Sequence, residues 1–466
     1  MKQIFLLILF INTSIAAQNS EFIKGVDVSF IPQIEDSGGE YYLNGIETDP
    51  LEIFKQNEIN YIRLRLWHTP ENGYCGLKST LEMASRIKED SLKFLLDIHY
   101  SDTWADPSNQ YKPAAWNGIE FSNLKDSVYT YTSNVISAFI NQNTPPDIVQ
   151  IGNEIIGGIL WPDGKLYDLP NPDEQLRKFA ELIKEGLRGV YDASDSVDIK
   201  TIIHIPILNG NINDVTYFYN RLNTQNVDFD IIGLSYYPWW HGNLNQLKNT
   251  LDIVSNNYEK DIIIVETAYP WTLSWNDNTH NIIGTTSQLH TGYPATAQGQ
   301  YNFLKDLIKI VKDVPDGRGA GVFYWAPEYI SVPQLGSSWE NLALFDFNNE
   351  TLWSISAFHD TSTSVFVNDK DITVSDFALH QNYPNPFNPV TSIKYELSHQ
   401  SNAKLIIYNS LGEEINILVD EVKNAGRYFV EWNGRDSNNN IISSGVYLIM
   451  LITDKSITTI KSVLLK

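Results

Sequence analysis

Cysteine is nearly absent from this 466-residue chain, Cys75 being the only one. No intrachain disulfide can form, so a small stapled scaffold is excluded and a large core must supply the stability. Positive charge is also scarce, with 33 lysines and arginines against 56 acidic residues and a net charge of −23. That surface repels a polyanion at long range, which disfavours nucleic acid as a partner and leaves a neutral polymer unaffected. Long hydrophobic runs are missing. The apolar stretch at residues 4–11 (IFLLILFI) is too short to cross a bilayer, and no other candidate span follows. No glycine-rich phosphate loop follows the first strand-like segment, so a dinucleotide function is not expected.

What remains is a globular composition, 42% hydrophobic and 19% charged. Aromatic residues make up 12%, including 12 Trp and 25 Tyr. A large core would use them, and so would a sugar cleft, because pyranose rings stack their C–H faces on indole and phenol rings. Residues 1–17 read as a signal peptide, with Lys2 before the apolar stretch and Ser14, Ala16 and Ala17 at the cleavage end. An exported protein is therefore expected.

Eight strand-like runs lie at residues 25–30, 61–67, 93–100, 148–152, 201–205, 231–236, 262–267 and 321–325. Most are apolar on both faces, as buried parallel strands are. Helical patterns separate them, at 51–56, 81–88, 124–139, 176–190, 244–254 and 301–311. Strand and helix alternating in this way predict an α/β fold, a (β/α)8 TIM barrel over residues 18–360, with a doubly wound open sheet as the other arrangement. Residues 361–376 read as a linker. Residues 377–466 hold short alternating runs at 392–397, 403–408, 426–432, 445–453 and 457–465, which predict a small all-β sandwich. Charge divides the same way: residues 361–466 carry 11 acids and 9 bases, the rest 45 and 24.

In a barrel of this kind, function sits at the C-terminal strand ends. Those ends carry Asp27 and Ser29, then Arg63, Arg65 and Trp67, then His99, Asp102 and Trp104. Asn153-Glu154, Tyr236 to Trp240, Glu266 and Trp325 complete the set. Glu154 and Glu266 are the candidate catalytic pair, because glycoside hydrolysis needs one carboxyl to protonate the leaving oxygen and another to attack or to activate water. A solitary Glu is more often a solvated loop residue, but a charge ending a hydrophobic strand is costly unless used or paired. Arg63 could hold Glu266 ionised. Arg65 is read as facing the other way and as structural. Asn153 could bond a sugar 2-hydroxyl. A lone His99 is more often core than functional, and its closeness to Asp102 and Trp104 weighs on the other side.

The segments GVDVSF (25–30), YIRLRLW (61–67), DIHYSDTWADP (97–107), KPAAW (112–116), QIGNEIIGGILWP (150–162), GLSYYPWWHG (233–242) and VETAYPW (265–271) resemble the family 53 glycoside hydrolases, the endo-β-1,4-galactanases, in order and spacing over about residues 22–358. The resemblance implies a retaining enzyme that cleaves the β-1,4-galactan of type I arabinogalactan and pectin, without a cofactor for the chemistry. Its acid/base falls on Glu154 and its nucleophile on Glu266. Its stacking and hydrogen-bonding residues fall on Trp104, Trp116, Asn153, Tyr236, Trp240 and Trp325, with Arg63, His99 and Asp102 as further substrate-site candidates. Another endo-β-glycanase of the same clan, acting on mannan or glucan, and a non-catalytic galactan-binding surface protein are the rival readings.

Some bacterial members bind calcium near the loop after strand seven. The corresponding oxygens here belong to Asp277, Thr279 (by its carbonyl), Asn281, Ser337 and Glu340, and would suit a hard cation. Glu340 stands where a shorter Asp is usual. The C-terminal segment resembles type IX secretion sorting domains through LHQNYPNPFNP (379–389), LGEE (411–414), SSGVYLI (443–449) and KSVLLK (461–466). It implies the type IX secretion machinery as a partner and release from, or display on, a Gram-negative cell surface. A carbohydrate-binding sandwich is the weaker reading, since Trp432 is the only tryptophan after Trp353. A monomer is expected.

Overall fold

The computed structural model describes residues 21–359 and 377–465, except 169, 196, 383, 384, 389, 390, 424, 425 and 439. The expected signal peptide and linker lie outside them. The chain divides between residues 360 and 361 into two compact units.

The first unit is a closed parallel barrel. Its strands are β1 (Ile23–Asp27), β2 (Tyr61–Leu66), β3 (Lys93–Ile98), β4 (Ile148–Ile151), β5 (Lys200–Pro206), β6 (Ile231–Ser235), β7 (Asp261–Glu266) and β8 (Gly319–Trp325). Each pairs with its chain neighbours, and β8 closes on β1. The eight expected runs are these strands, shifted by up to three residues at their ends. Helices α1 (Ile31–Asp36), α2 (Pro50–Gln56), α3 (Leu77–Glu89), α4 (Phe121–Asn141), α5 (Pro172–Ala193), α6 (Ile212–Thr224), α7 (Leu244–Tyr258) and α8 (Ala297–Lys312) lie between them. Their starts are encoded locally. Asp49 and Asn171 cap helices that open on Pro50 and Pro172, and Asn243 with Gln246 forms a capping box. The sequence reading passed over α6. Its buried Val215, Phe218, Tyr219 and Leu222 sit at helical spacing, with Asn211 capping the first turn.

Strand alternation sends one set of side chains outward to the helices and the other into the barrel. Ile23, Tyr61, Leu95, Ile148, Ile202, Ile231, Ile263, Val265 and Phe323 form the apolar inner cluster. Further along the same inner faces, the residues turn polar: Asp27, Arg63, Asp97, Gln150 and His204. Arg65 is two residues from Arg63, so it faces the same way, contrary to the sequence reading. Its guanidinium lies 4.1 Å from the Phe30 ring centre and 4.2 Å from that of Trp104.

One irregularity aims a key side chain. Leu234 pairs with Ile264 but Ser235 pairs with Glu266, so Val265 is an extra residue on β7. Without this bulge, Glu266 would alternate outward from the inward-facing Val265. With it, Glu266 also faces the barrel interior.

The second unit is two antiparallel sheets around one core. One holds β9 (Ala378–Leu379), β10 (Thr391–Leu397) and β13 (Gly426–Trp432). The other holds β11 (Ser401–Asn409), β12 (Glu414–Lys423), β14 (Gly445–Ile452) and β15 (Ile457–Leu464). The sequence reading missed β12, an edge strand whose charged residues blur the alternation while discouraging edge pairing. Trp432 is buried in the core and donates to the Arg435 carbonyl at 3.0 Å, so it offers no sugar platform. The opening and closing motifs are stitched together: Asn382 donates to Ser462 Oγ at 2.8 Å, and Asn385 accepts from the Val463 amide at 2.7 Å.

Candidate active site

The loops after the barrel strands enclose a cavity of about 760 Å³. Trp104, Asn153, Glu154, Trp240, Glu266 and Trp325 all line it, although they come from five different strand ends. Asp106 and Trp339, not among the expected site residues, stand in the same wall, as does Trp239 from the run that ends β6. Tyr237 stood only inside the run that ends β6.

Glu154 follows the tight turn after β4. Gly152 has φ +80°, and a Cβ there would meet Ile155 Cγ2 at 2.6 Å. Glu154 itself is left-handed at φ 48° and ψ 46°, a conformation that costs a non-glycine residue about 1–2 kcal/mol. The same φ sign recurs at Tyr100 and Ala326, just past β3 and β8.

Glu266 is gripped from two sides. Arg63 Nη1 lies 3.0 Å from its Oε1, and the Tyr237 hydroxyl donates to Oε2 at 3.0 Å. Arg63 also holds Asp27 and Asp97, each at 2.8 Å, and donates to Asn153 Oδ1 at 3.0 Å. Burial works against the arginine charge, but Asp97, Glu266 and Asp27 outweigh it and hold the guanidinium charged. Burial raises the Glu266 carboxyl; Arg63 is the largest opposing influence, while Asp27 and Asp97 push the same way as burial. Glu154 has no ion pair among the described residues. Burial and then the Glu266 charge push it up, and a hydrogen bond from Ser235 opposes them. The two carboxyls share one field, so they titrate as a pair, and the more protonated member is Glu154.

Four expected substrate residues stand elsewhere. Tyr236 faces outward, fully buried, donating to the Gly242 carbonyl at 2.9 Å and stacked on Phe303. Its neighbour Tyr237 takes the inward place, as alternation requires. His99 is closed in behind the wall: Nε2 reaches Asp97 at 3.0 Å, and Nδ1 accepts from Trp67 and Ala105. Asp102 ties loops together, accepting from the Thr69 amide at 3.0 Å and the Ala114 amide at 2.8 Å. It borders a second hollow of about 780 Å³ with Arg65 and Tyr74, which shares Trp104 and Trp325 with the first. Trp116 is buried against His68, Tyr100 and Tyr131 and edges a separate shallow hollow on α4.

The expected cation ligands are brought together. Asp277 accepts from the Ser337 amide at 2.9 Å, and Glu340 Oε1 accepts from the Asn276 amide at 2.6 Å. Thr279 packs against Gly336. The Ser337 hydroxyl is already engaged, donating to the Tyr329 carbonyl at 2.6 Å. Asn281 Oδ1 and Glu340 Oε2 are buried with no hydrogen-bond partner. Two buried oxygens left bare beside Asp277 fit a hard cation. Among the described residues, no cluster of three or more His, Cys, Asp or Glu side chains offers a metal site, so amide and carbonyl oxygens would have to complete this one.

Residues 23–358 match the model of Glycosyl hydrolase family 53. The chain is 44% identical over 343 residues to a protein of Niallia circulans named "Uncharacterized protein in bgaB 5'region", covering 72% of this chain and 93% of that one. It is 35% identical over 346 residues to an arabinogalactan endo-beta-1,4-galactanase of Cellvibrio japonicus, covering 72% and 89%. Among solved structures it resembles the Ignisphaera aggregans GH53 catalytic domain, with a TM-score of 0.68 and 38% identity, covering 72% of this chain and 95% of that one.

Proposed function

The chain belongs to glycosyl hydrolase family 53, and from that premise we propose that it cleaves internal β-1,4-galactosidic bonds of type I arabinogalactan and pectic galactan with retention at the anomeric carbon. Glu154 gives its proton to the glycosidic oxygen while the Glu266 carboxylate attacks the anomeric carbon. The carbon–oxygen bond to the leaving sugar breaks, and a galactosyl ester forms on Glu266. Glu154, now a carboxylate, takes a proton from water as the water oxygen attacks the same carbon and frees Glu266. No cofactor enters these steps. The observation that carries the assignment is the difference between two carboxyls in one cavity: Arg63 and Tyr237 hold Glu266 for attack, while Glu154 has no ion pair among the described residues and is pushed toward its protonated form. Asn153, Trp104, Trp240 and Trp325 are proposed to bond and stack the sugar. Incubation with linear β-1,4-galactan, β-mannan and β-glucan tests the reading. Short galacto-oligosaccharides from galactan alone are expected. Release from mannan or glucan with none from galactan would move the enzyme to another specificity.

A structural Ca2+ held by Asp277, Asn281 and Glu340 with backbone oxygens is proposed to pin the loop after β7. The unpartnered Asn281 and Glu340 oxygens support it. Export is proposed as well, with residues 1–17 as signal peptide and residues 377–466 as a sorting domain for type IX secretion, leaving the enzyme outside a Gram-negative cell. Two expected sorting motifs, at 379–389 and 461–466, bond to each other in the second unit, which favours their acting as one recognition element. A chain lacking residues 377–466 is expected to cross the inner membrane and stop in the periplasm.

A further inference from the structure

Asn153 lines the cavity, yet most of the hydrogen-bonding capacity of its side chain is spent inside the protein. Its Nδ2 donates to the Ala105 carbonyl at 2.9 Å, which uses one of two hydrogens and keeps the amide from turning over. Its Oδ1 accepts from Arg63 Nη2 at 3.0 Å. His204 Nδ1 also lies 3.0 Å from that oxygen. His204 is a fully buried histidine on β5 that the scheme above does not use, and burial, with Arg63 next, keeps it neutral. A neutral imidazole carries one proton, and its neighbours decide which nitrogen holds it. The Gln150 side-chain nitrogen is 3.1 Å from Nδ1, but its two hydrogens go to Asp97 Oδ1 at 2.6 Å and the Gly152 carbonyl at 3.1 Å. Asn153 Oδ1, at 3.2 Å, is its farther choice. The Glu154 amide approaches Nδ1 from 3.4 Å, the longest contact of the set. Without a proton on Nδ1, two lone pairs would meet at 3.0 Å in a buried site. The proton therefore sits on Nδ1 and is given to Asn153. Nε2 is left bare, and the Ser235 hydroxyl donates to it at 2.7 Å.

We propose that His204 is a positioning residue for Asn153, a neutral donor that holds the amide so that its one remaining N–H points to the 2-hydroxyl oxygen of the reacting sugar. The inference rests on the proposed function, in which Asn153 bonds the sugar. Asn153 stands just past β4, and β3 and β5 flank that strand. The Ala105 carbonyl, after β3, holds the amide nitrogen from one side, and His204, on β5, holds the amide oxygen from the other. Arg63 reaches the same oxygen but is shared with Asp27, Asp97 and Glu266. His204 Nδ1 has its single hydrogen for Asn153. With Oδ1 filled by two donors and one Nδ2 hydrogen used, Asn153 can only donate to the sugar. A bond to the 2-hydroxyl strengthens in the transition state, so the aim of this amide bears on kcat rather than on binding.

The test compares two aryl β-1,4-galactobiosides, one ordinary and one lacking the 2-hydroxyl on the reacting sugar, in His204→Gln, His204→Asn and the unaltered enzyme. Glutamine sets its nitrogen near the place of Nε2 and leaves Asn153 without this donor, whereas asparagine sets one near the place of Nδ1. In His204→Gln, kcat for the ordinary substrate should fall about 30-fold with KM little changed, and kcat for the 2-deoxy substrate less than about threefold. His204→Asn should recover most of the loss. A merely structural role would slow both substrates alike, so an equal fall on the two overturns the proposal, as does no fall on the ordinary one. An asparagine variant no better than the glutamine one overturns it too. If neither variant folds, neutron diffraction from crystals of the unaltered protein locates the imidazole proton. A proton on Nδ1 supports the inference, and one on Nε2 overturns it. Absence of any galactan cleavage by the unaltered enzyme would sink the functional reading, an outcome separate from these.

Discussion

The barrel interior holds two rings of side chains, the upper one drawn from β1 to β7. The lower ring, with Ile23, Leu95, Ile148, Ile202, Ile231, Ile263 and Phe323, is wholly apolar. The upper one, with Asp27, Arg63, Asp97, Gln150, His204, Ser235 and Glu266, is wholly polar and bonded side chain to side chain. The lower ring closes the barrel and excludes water. The upper ring uses that dry floor, because charges set on it act strongly on each other. Stability and chemistry therefore sit two to four residues apart along the same strands, and substitutions in the two rings should fail differently.

The largest effect is expected from Glu266→Gln and Glu154→Gln. Each should lower kcat on galactan by about four orders of magnitude with the fold intact by circular dichroism. Near-normal turnover in either variant would remove that residue from the mechanism. Next comes a matched pair. Arg63→Met leaves Asp27, Asp97 and Glu266 without their cation and should cost about 3–5 kcal/mol by denaturant unfolding. Leu95→Ala in the lower ring should cost about 2–5 kcal/mol while leaving the pH profile in place. Equal shifts of the pH profile in both would dissolve the distinction between rings.

Tyr237→Phe is a finer probe. The phenol donates to the charged Glu266 and lowers its pKa. Its removal raises that pKa, so the acidic limb of kcat/KM should move to higher pH while the alkaline limb stays. A downward move would contradict the hydrogen-bond direction. A separate probe, outside the cavity, is Glu328, just past β8, buried and pushed up to about 8 chiefly by burial and next by Asp27. A carboxyl raised in the folded state binds its proton more tightly there than in the unfolded chain. Its stabilising contribution is full below the unfolded pKa, about 4.5, and falls as pH climbs toward 8. Thermal unfolding of Glu328→Gln should therefore lose less stability between pH 5 and 8 than the unaltered protein. Parallel curves would count against it.

Much of this arrangement was legible in the sequence, and the losses have physical causes. The barrel strands announce themselves because burial on both faces leaves continuous apolar runs. Glu154 and Glu266 stand out because a carboxyl ending such a run is costly. The orientation of Glu266 was not legible, since it depends on the bulge at Val265, and a bulge is a property of two strands together. Tyr236 and Tyr237 are identical letters whose order along an alternating strand decides which one meets the carboxylate. Arg65 was legible and misread, because a separation of two keeps the face. His99 and Asp102 carry the right chemistry near the right place, yet the nitrogens of one and the carboxylate oxygens of the other are consumed holding loops. His204 and Ser235 gave no local sign, being single polar letters inside apolar strands.

The most direct measurement is proton NMR of the first reducing ends released from β-1,4-galactan, recorded before mutarotation. The account predicts the β-anomer, formed by two successive inversions at one carbon with a galactosyl ester on Glu266 between them. The α-anomer as first product would mean a single displacement by water, and would contradict an attacking role for Glu266.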